Sequence, residues 1–179
     1  MHWILLSMAC NLNEPDTFNK EVIITGGGHA TANAADYEAF RFTCCDSPHI
    51  TDVIEAYLLV TRSLANDNLG DAQQHGATMR AAIEKAQEHT ALPASSLAGL
   101  SEMNRLSMTW HRSEMVGIRA DLGPLSDKAV DLAKQHKGGD TQIITAFCPM
   151  APGRWLQTES TIANPYYGSG MLTCGIFEE

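Results

Sequence analysis

Basic residues are scarce: 12 Lys and Arg stand against 21 Asp and Glu, a formal charge of −9 with a pI near 5.1. Neutralising nucleic-acid phosphates requires clustered Lys and Arg, so that partner class is excluded. An apolar run of the roughly 20 residues that span a bilayer is also missing. So are the signatures of common hydrolases, G-x-S-x-G and H-E-x-x-H. The Gly26-Gly27-Gly28 run is followed by His29 rather than by G-K-[ST], so it is not a phosphate loop. No second ligand pair stands at zinc-finger spacing from Cys44-Cys45. With no catalytic constellation, the expectation is a binding protein rather than an enzyme. What is present suffices to fold: 179 residues suit one domain, and a 44% hydrophobic fraction builds a core without a disulfide scaffold.

Residues 1–10 read as a signal remnant. Trp3-Ile4-Leu5-Leu6-Ser7-Met8-Ala9-Cys10 resembles the end of a bacterial lipoprotein signal, in which Cys10 becomes the lipidated residue. It departs from that pattern at Ser7 and in lacking a basic n-region. The alternative is a short buried strand. Export to the periplasm or cell envelope is the expected localisation, with a candidate lipid anchor at Cys10. Residues 11–49 carry turn signals and no sustained period, apart from a candidate short strand at Glu21–Thr25, and read as an irregular extension.

Residues 50–179 read as the folded domain. Ile50, Val53, Ile54, Tyr57, Leu58, Thr61 and Leu64 share one helical face, with Ser47 or Thr51 as a cap and an end near Asn66-Asp67-Asn68. A second helix, about Asp71 to His89, presents Ala72, His75 or Gly76, Met79, Ile83 and Ala86. Pro93 and Ser95-Ser96 mark a turn and restart. A third stretch, from Met108 through His111, Met115, Ile118, Leu122, Leu125, Ala129 and Leu132 to His136, forms a heptad-like seam. Gly123-Pro124 interrupts it, predicting a kink or a split into two helices. After Gly138-Gly139 the period becomes that of strands, over Thr141–Phe147 and again in a short extended piece that follows Met171, through Cys174 and Ile176-Phe177. The predicted fold is mainly α: an up-and-down bundle of about four helical segments with a small C-terminal β-hairpin.

That hairpin would bring Cys148 near Cys174, and with them Met150 and Met171, around a C-x-M and an M-x-x-C. Four soft sulfur donors favour Cu(I), or Ag(I), over oxygen-seeking ions. The competing reading is a Cys148–Cys174 disulfide worth roughly 3 kcal/mol, with both Met as core filler. A second candidate cluster lies on the helices. His111 and Met115 stand four apart with Met108 a turn earlier, and His75 and Met79 repeat the spacing. If those stripes face each other, imidazole and thioether converge; otherwise these residues are core. Cys44-Cys45-x-x-x-His49 is a third, weaker metal array. A bridge between the adjacent Cys44 and Cys45 is disfavoured, so pairing elsewhere, free thiols or metal are expected there.

The segment from about Thr51 to Gly175 also carries ordered landmarks. They are Ala56-Tyr57-Leu58, Ala65-Asn66-Asp67, Ile118-Arg119, Leu125-Ser126, Cys148-Pro149-Met150-Ala151, Trp155-Leu156, Ile162 to Gly168, and Met171-Leu172-Thr173-Cys174-Gly175. In these it resembles a bacterial domain of unknown function that follows the periplasmic adaptor portion of copper/silver efflux proteins and also occurs as exported proteins and lipoproteins. The resemblance implies an exported helical bundle associated with copper or related metals, an efflux adaptor as partner, and no established reaction. Gly123-Pro124 and the N-terminal extension depart from it.

Overall fold

The structure is a computed structural model and describes residues 34–89, 91–151 and 153–179. The signal-like segment with Cys10 and the strand expected at Glu21–Thr25 lie outside the described residues. Among the described residues, five α-helices and four strands follow in the order α1 (Ala34–Phe40), β1 (Phe42–Cys44), α2 (Pro48–Ala65), α3 (Leu69–Gln87), α4 (Ala94–Ser107), α5 (Met115–Gln135), β2 (Thr141–Cys148), β3 (Gly153–Gln157) and β4 (Ile176–Glu178). The fold is mainly helical with a small antiparallel sheet. Among the described residues, no helix is long and apolar enough to cross a membrane.

Helix α2 starts where local chemistry directs. Ser47 is extended at the N-cap and Pro48 takes the first helical position, where its missing N–H costs nothing. Its end is a Schellman motif. The Asp67 N–H donates to the Leu64 carbonyl at 3.2 Å and the Asn68 N–H to the Ser63 carbonyl at 2.9 Å, with Asp67 left-handed at φ 53°. Asn68 then serves the next helix, its side chain accepting from the Asp71 N–H at 3.1 Å as the N-cap of α3. One residue thus closes a helix and opens another, which makes the connection short. The predicted apolar faces of these two helices are the buried ones, except that Leu58 and His75 are only partly covered.

The third seam breaks elsewhere than expected. Met108 caps the end of α4, Trp110–Arg112 form a 3₁₀ turn, and α5 begins at Met115. Trp110 explains the break. Its ring is 1% exposed and lies against Gly76, where a Cβ would stand 3.1 Å from Trp110 Cε3. Burying that indole bends the chain where the heptad pattern reads straight through. Conversely, α5 runs unsplit through Gly123-Pro124. Pro124 is exposed, so its lost backbone bond faces solvent, while Leu122, Leu125, Ser126 and Ala129 anchor the turns on either side.

Helix α2 packs on α3, α3 on α4, α4 on α5, and α5 back on α2 and on the sheet. The sheet is larger than the expected hairpin. Strand β2 is central: β3 pairs along one edge (Ala146 opposite Trp155), while β1 (Phe42 opposite Ile143) and β4 (Phe177 opposite Ala146) share the other. Residues 34–44, expected to be irregular, form α1 and the edge strand β1. The period of two divides the sheet's side chains. Ile143 and Leu156 join the helical core, whereas Ile144, Ala146, Cys148, Trp155 and Phe177 form a second, smaller core with Ile162 and Cys174. Tyr37 and Phe40 of α1 and Met171 pack against that second core.

Candidate metal centre

Cys148 is the last residue of β2, and the strand period turns it into the small core, away from the helices. Cys174 arrives from the other end of the chain segment, two residues before β4. The register that places Phe147 opposite Ile176 brings the two cysteines to the same end of the sheet. Their sulfurs stand 3.7 Å apart, with Cys148 fully buried and Cys174 4% exposed.

The loop carrying Cys174 is held from several sides. The Cys174 N–H donates to the Met171 carbonyl at 3.0 Å, closing M-x-x-C into a turn. Asn164, fully buried, frames it: Nδ2 donates to the Cys174 carbonyl at 2.8 Å, Oδ1 accepts from the Tyr166 N–H at 2.8 Å, and its own N–H donates to the Leu172 carbonyl at 2.7 Å. Gly175 follows at φ 154°, where a Cβ would stand 2.9 Å from the Trp155 ring. That close approach lets the chain pass over the indole into β4.

The loop is in turn tied to the helices. Arg119 of α5 donates to the Pro165 carbonyl at 2.9 Å, the Leu64 carbonyl at 2.7 Å and the Asp67 carboxylate at 2.7 Å. The other Asp67 oxygen accepts from the Ser169 N–H at 2.9 Å. The Ser169 hydrogen bonds and the Arg119 guanidinium hold the Asp67 carboxyl well below the usual carboxylate range. Gly168, left-handed at φ 54°, lies so close to Asp67 and Arg119 that a side chain there would collide with both. Deeper in, the Tyr57 and Ser126 hydroxyls share a hydrogen bond at 2.7 Å, and the Leu156 N–H donates to Tyr57 Oη at 3.4 Å. Burial raises the Tyr57 pKa above its usual value, and that of Tyr166 likewise. The scattered landmarks Asp67, Arg119 and Asn164 thus seat the sulfur-bearing loop on the bundle, while Tyr57, Ser126 and Leu156 join α2, α5 and β3 beneath it. Asn164 and Arg119 were not legible as parts of the site. Asn164-Pro165 and Ile118-Arg119 entered as landmarks of the family resemblance, with no role at the sulfurs.

Of the four sulfur residues, Cys148 and Cys174 meet. Met171 is partly buried against the small core, whereas Met150, in the turn after β2, is 37% exposed. Its carbonyl accepts from the Tyr167 hydroxyl at 3.0 Å, tying the C-P-M turn to the aromatic loop. The helical candidates Met108, His111 and Met115 do not lie on one helix. Met108 is 53% exposed at the end of α4, His111 is exposed in the 3₁₀ turn, and Met115 is the first residue of α5. The four-residue spacing of His111 and Met115 has no helical meaning when the helix starts at the second of them. His75 pairs through Nδ1 with the Ser63 hydroxyl at 3.0 Å, and Met79 is fully buried in the main core. At the third array, Cys44 and Cys45 are bonded to each other, contrary to expectation, across a cis peptide bond in the main core. With both sulfurs engaged, only His49 of that array offers a donor atom. Its ring stacks on His89 at 3.5 Å between centroids.

Chemically, two thiols at 3.7 Å can do two things. They can close to the roughly 2.05 Å of a disulfide, or as thiolates they can share an ion. Among the described residues, no group of three or more His, Cys, Asp and Glu is placed to hold a metal, so no third side chain of those types joins the pair there. No protein family, curated protein or solved structure matches the chain.

Proposed function

We propose that this protein binds a soft monovalent metal ion, Cu(I) in preference to Ag(I), at Cys148 and Cys174, and that it sequesters the ion in the cell envelope or delivers it to an efflux adaptor. The observation that carries the reading is the 3.7 Å approach of two buried sulfurs from segments 26 residues apart. Sulfur ligands select d¹⁰ soft ions over those that prefer oxygen. The envelope location, a lipid anchor at Cys10 and the adaptor partner rest on the sequence resemblances alone. The reading is of a binding protein, with the four long helices as an up-and-down bundle that carries the sulfur-bearing loop.

A second reading is favoured by the same burial: the pair as a disulfide that pins the C-terminal loop, making the chain a metal-free interaction module of an efflux system. Both are tested on one preparation. The reduced protein should compete with a chromophoric chelator for Cu(I), and the Cys148→Ser/Cys174→Ser variant should not. Competition that survives in the variant, or is absent from the wild type, refutes the metal reading. Native protein four hydrogens light, two for the Cys44–Cys45 bond and two for a Cys148–Cys174 bond located by peptide mapping, and free of copper by mass spectrometry would support the module.

A further inference from the structure

We infer that Met171 supplies the third ligand, making the site a three-coordinate, all-sulfur centre for a monovalent d¹⁰ ion. This rests on the reading of Cys148 and Cys174 as a metal-holding pair and adds the coordination number and the class of ion. With thiolate–metal bonds of about 2.3 Å, two sulfurs joined linearly through an ion would stand about 4.6 Å apart. The two sulfurs stand at 3.7 Å, so an ion held between them without moving the loops would be bound bent, with one side open to a third donor.

Met171 is the candidate for that side. Its partly buried side chain packs against the core that contains both cysteines. The turn closed by the 3.0 Å bond from the Cys174 N–H to the Met171 carbonyl keeps the two residues together. Three rotatable bonds let a thioether adapt without moving the backbone. Met150, the other sulfur residue near the pair, stands in an exposed turn and is assigned no ligand role. The donor set is then two thiolates and one neutral thioether. Binding exchanges two thiol protons for one monovalent cation and leaves the centre with a single negative charge. Zn(II) prefers four ligands of thiolate, imidazole or carboxylate type, and no third such side chain joins the pair among the described residues.

The test uses the reduced full chain without oxygen, with Cu(I) itself as the probe. X-ray absorption on the wild type should count three sulfur neighbours. Met171→Leu conserves volume, and losing a direct ligand should weaken Cu(I) binding at least as much as losing an outer-shell partner does, about 10–100-fold. Met150→Leu should bind as the wild type does. Two sulfur neighbours in the wild type, or undiminished affinity in Met171→Leu, would overturn this inference while leaving the thiol pair as a metal site. A wild type that takes up no Cu(I) would overturn both.

Discussion

Asn164→Ala probes whether one buried amide holds the sulfur-bearing loop in place. The side chain is fully buried and makes two hydrogen bonds, to the Cys174 carbonyl and from the Tyr166 N–H, both at 2.8 Å. Alanine deletes both, taking the amide away from the Cys174 carbonyl and the Tyr166 N–H. A buried polar group that loses its partner costs about 1–3 kcal/mol, so the two losses together cost at most about 2–6 kcal/mol if water does not replace the amide. The measurement is urea unfolding of the reduced protein, read as a lowered midpoint at unchanged m. Asn164→Asp sharpens the test because it keeps the shape and the acceptor oxygen but loses the donor. A carboxylate there faces the Cys174 carbonyl in a buried site, so its pKa must rise. The sign follows: with the folded pKa above the unfolded one, the protonated form, which can donate to Cys174, is favoured at low pH. The variant should therefore approach wild-type stability below the ordinary carboxylate range and lose it as pH rises through the raised value. A loss below about 0.5 kcal/mol in Asn164→Ala, within the range of ordinary surface changes, would refute the framing role.

Two further substitutions test how the loop is tied to the helices. Asp67 has a lowered pKa, so its contribution is present above the unfolded carboxylate value and lost as pH falls through the folded one; Asp67→Asn should flatten acid unfolding in that range. An unchanged acid limb would count against the Arg119–Asp67–Ser169 bridge. Tyr57→Phe removes the hydroxyl shared by Ser126 and the Leu156 N–H and should cost about 1–2 kcal/mol in thermal or urea unfolding. Stability equal to wild type would mean that the hydroxyl does not couple α2 to the sheet.

Sequence reasoning succeeded where the signal was local. The faces of α2 and α3 follow from apolar spacing because each helix buries one stripe against a neighbour. The approach of Cys148 and Cys174 was legible because each adjoins an extended segment, and two such segments pair readily. The third seam misled because Met108, His111 and Met115 keep a helical spacing across a stretch that is not one helix. What decides there is the burial of Trp110 against Gly76, a contact with a residue 34 positions away. Strand β3 escaped notice because Gly153–Gln157 is short and becomes a strand by pairing with β2.

The sequence by itself determined which residues form the long amphipathic helices, where α2 starts and stops, and that soft sulfur donors cluster near the C-terminus. These depend on caps, period and side-chain chemistry within a few residues. Tertiary structure alone decided that α5 survives Pro124, that Cys44 and Cys45 bond to each other, and that Met171 rather than Met150 packs against the small core. Each of those outcomes depends on what distant segments present at the same point in space, and burial there outweighs local preference.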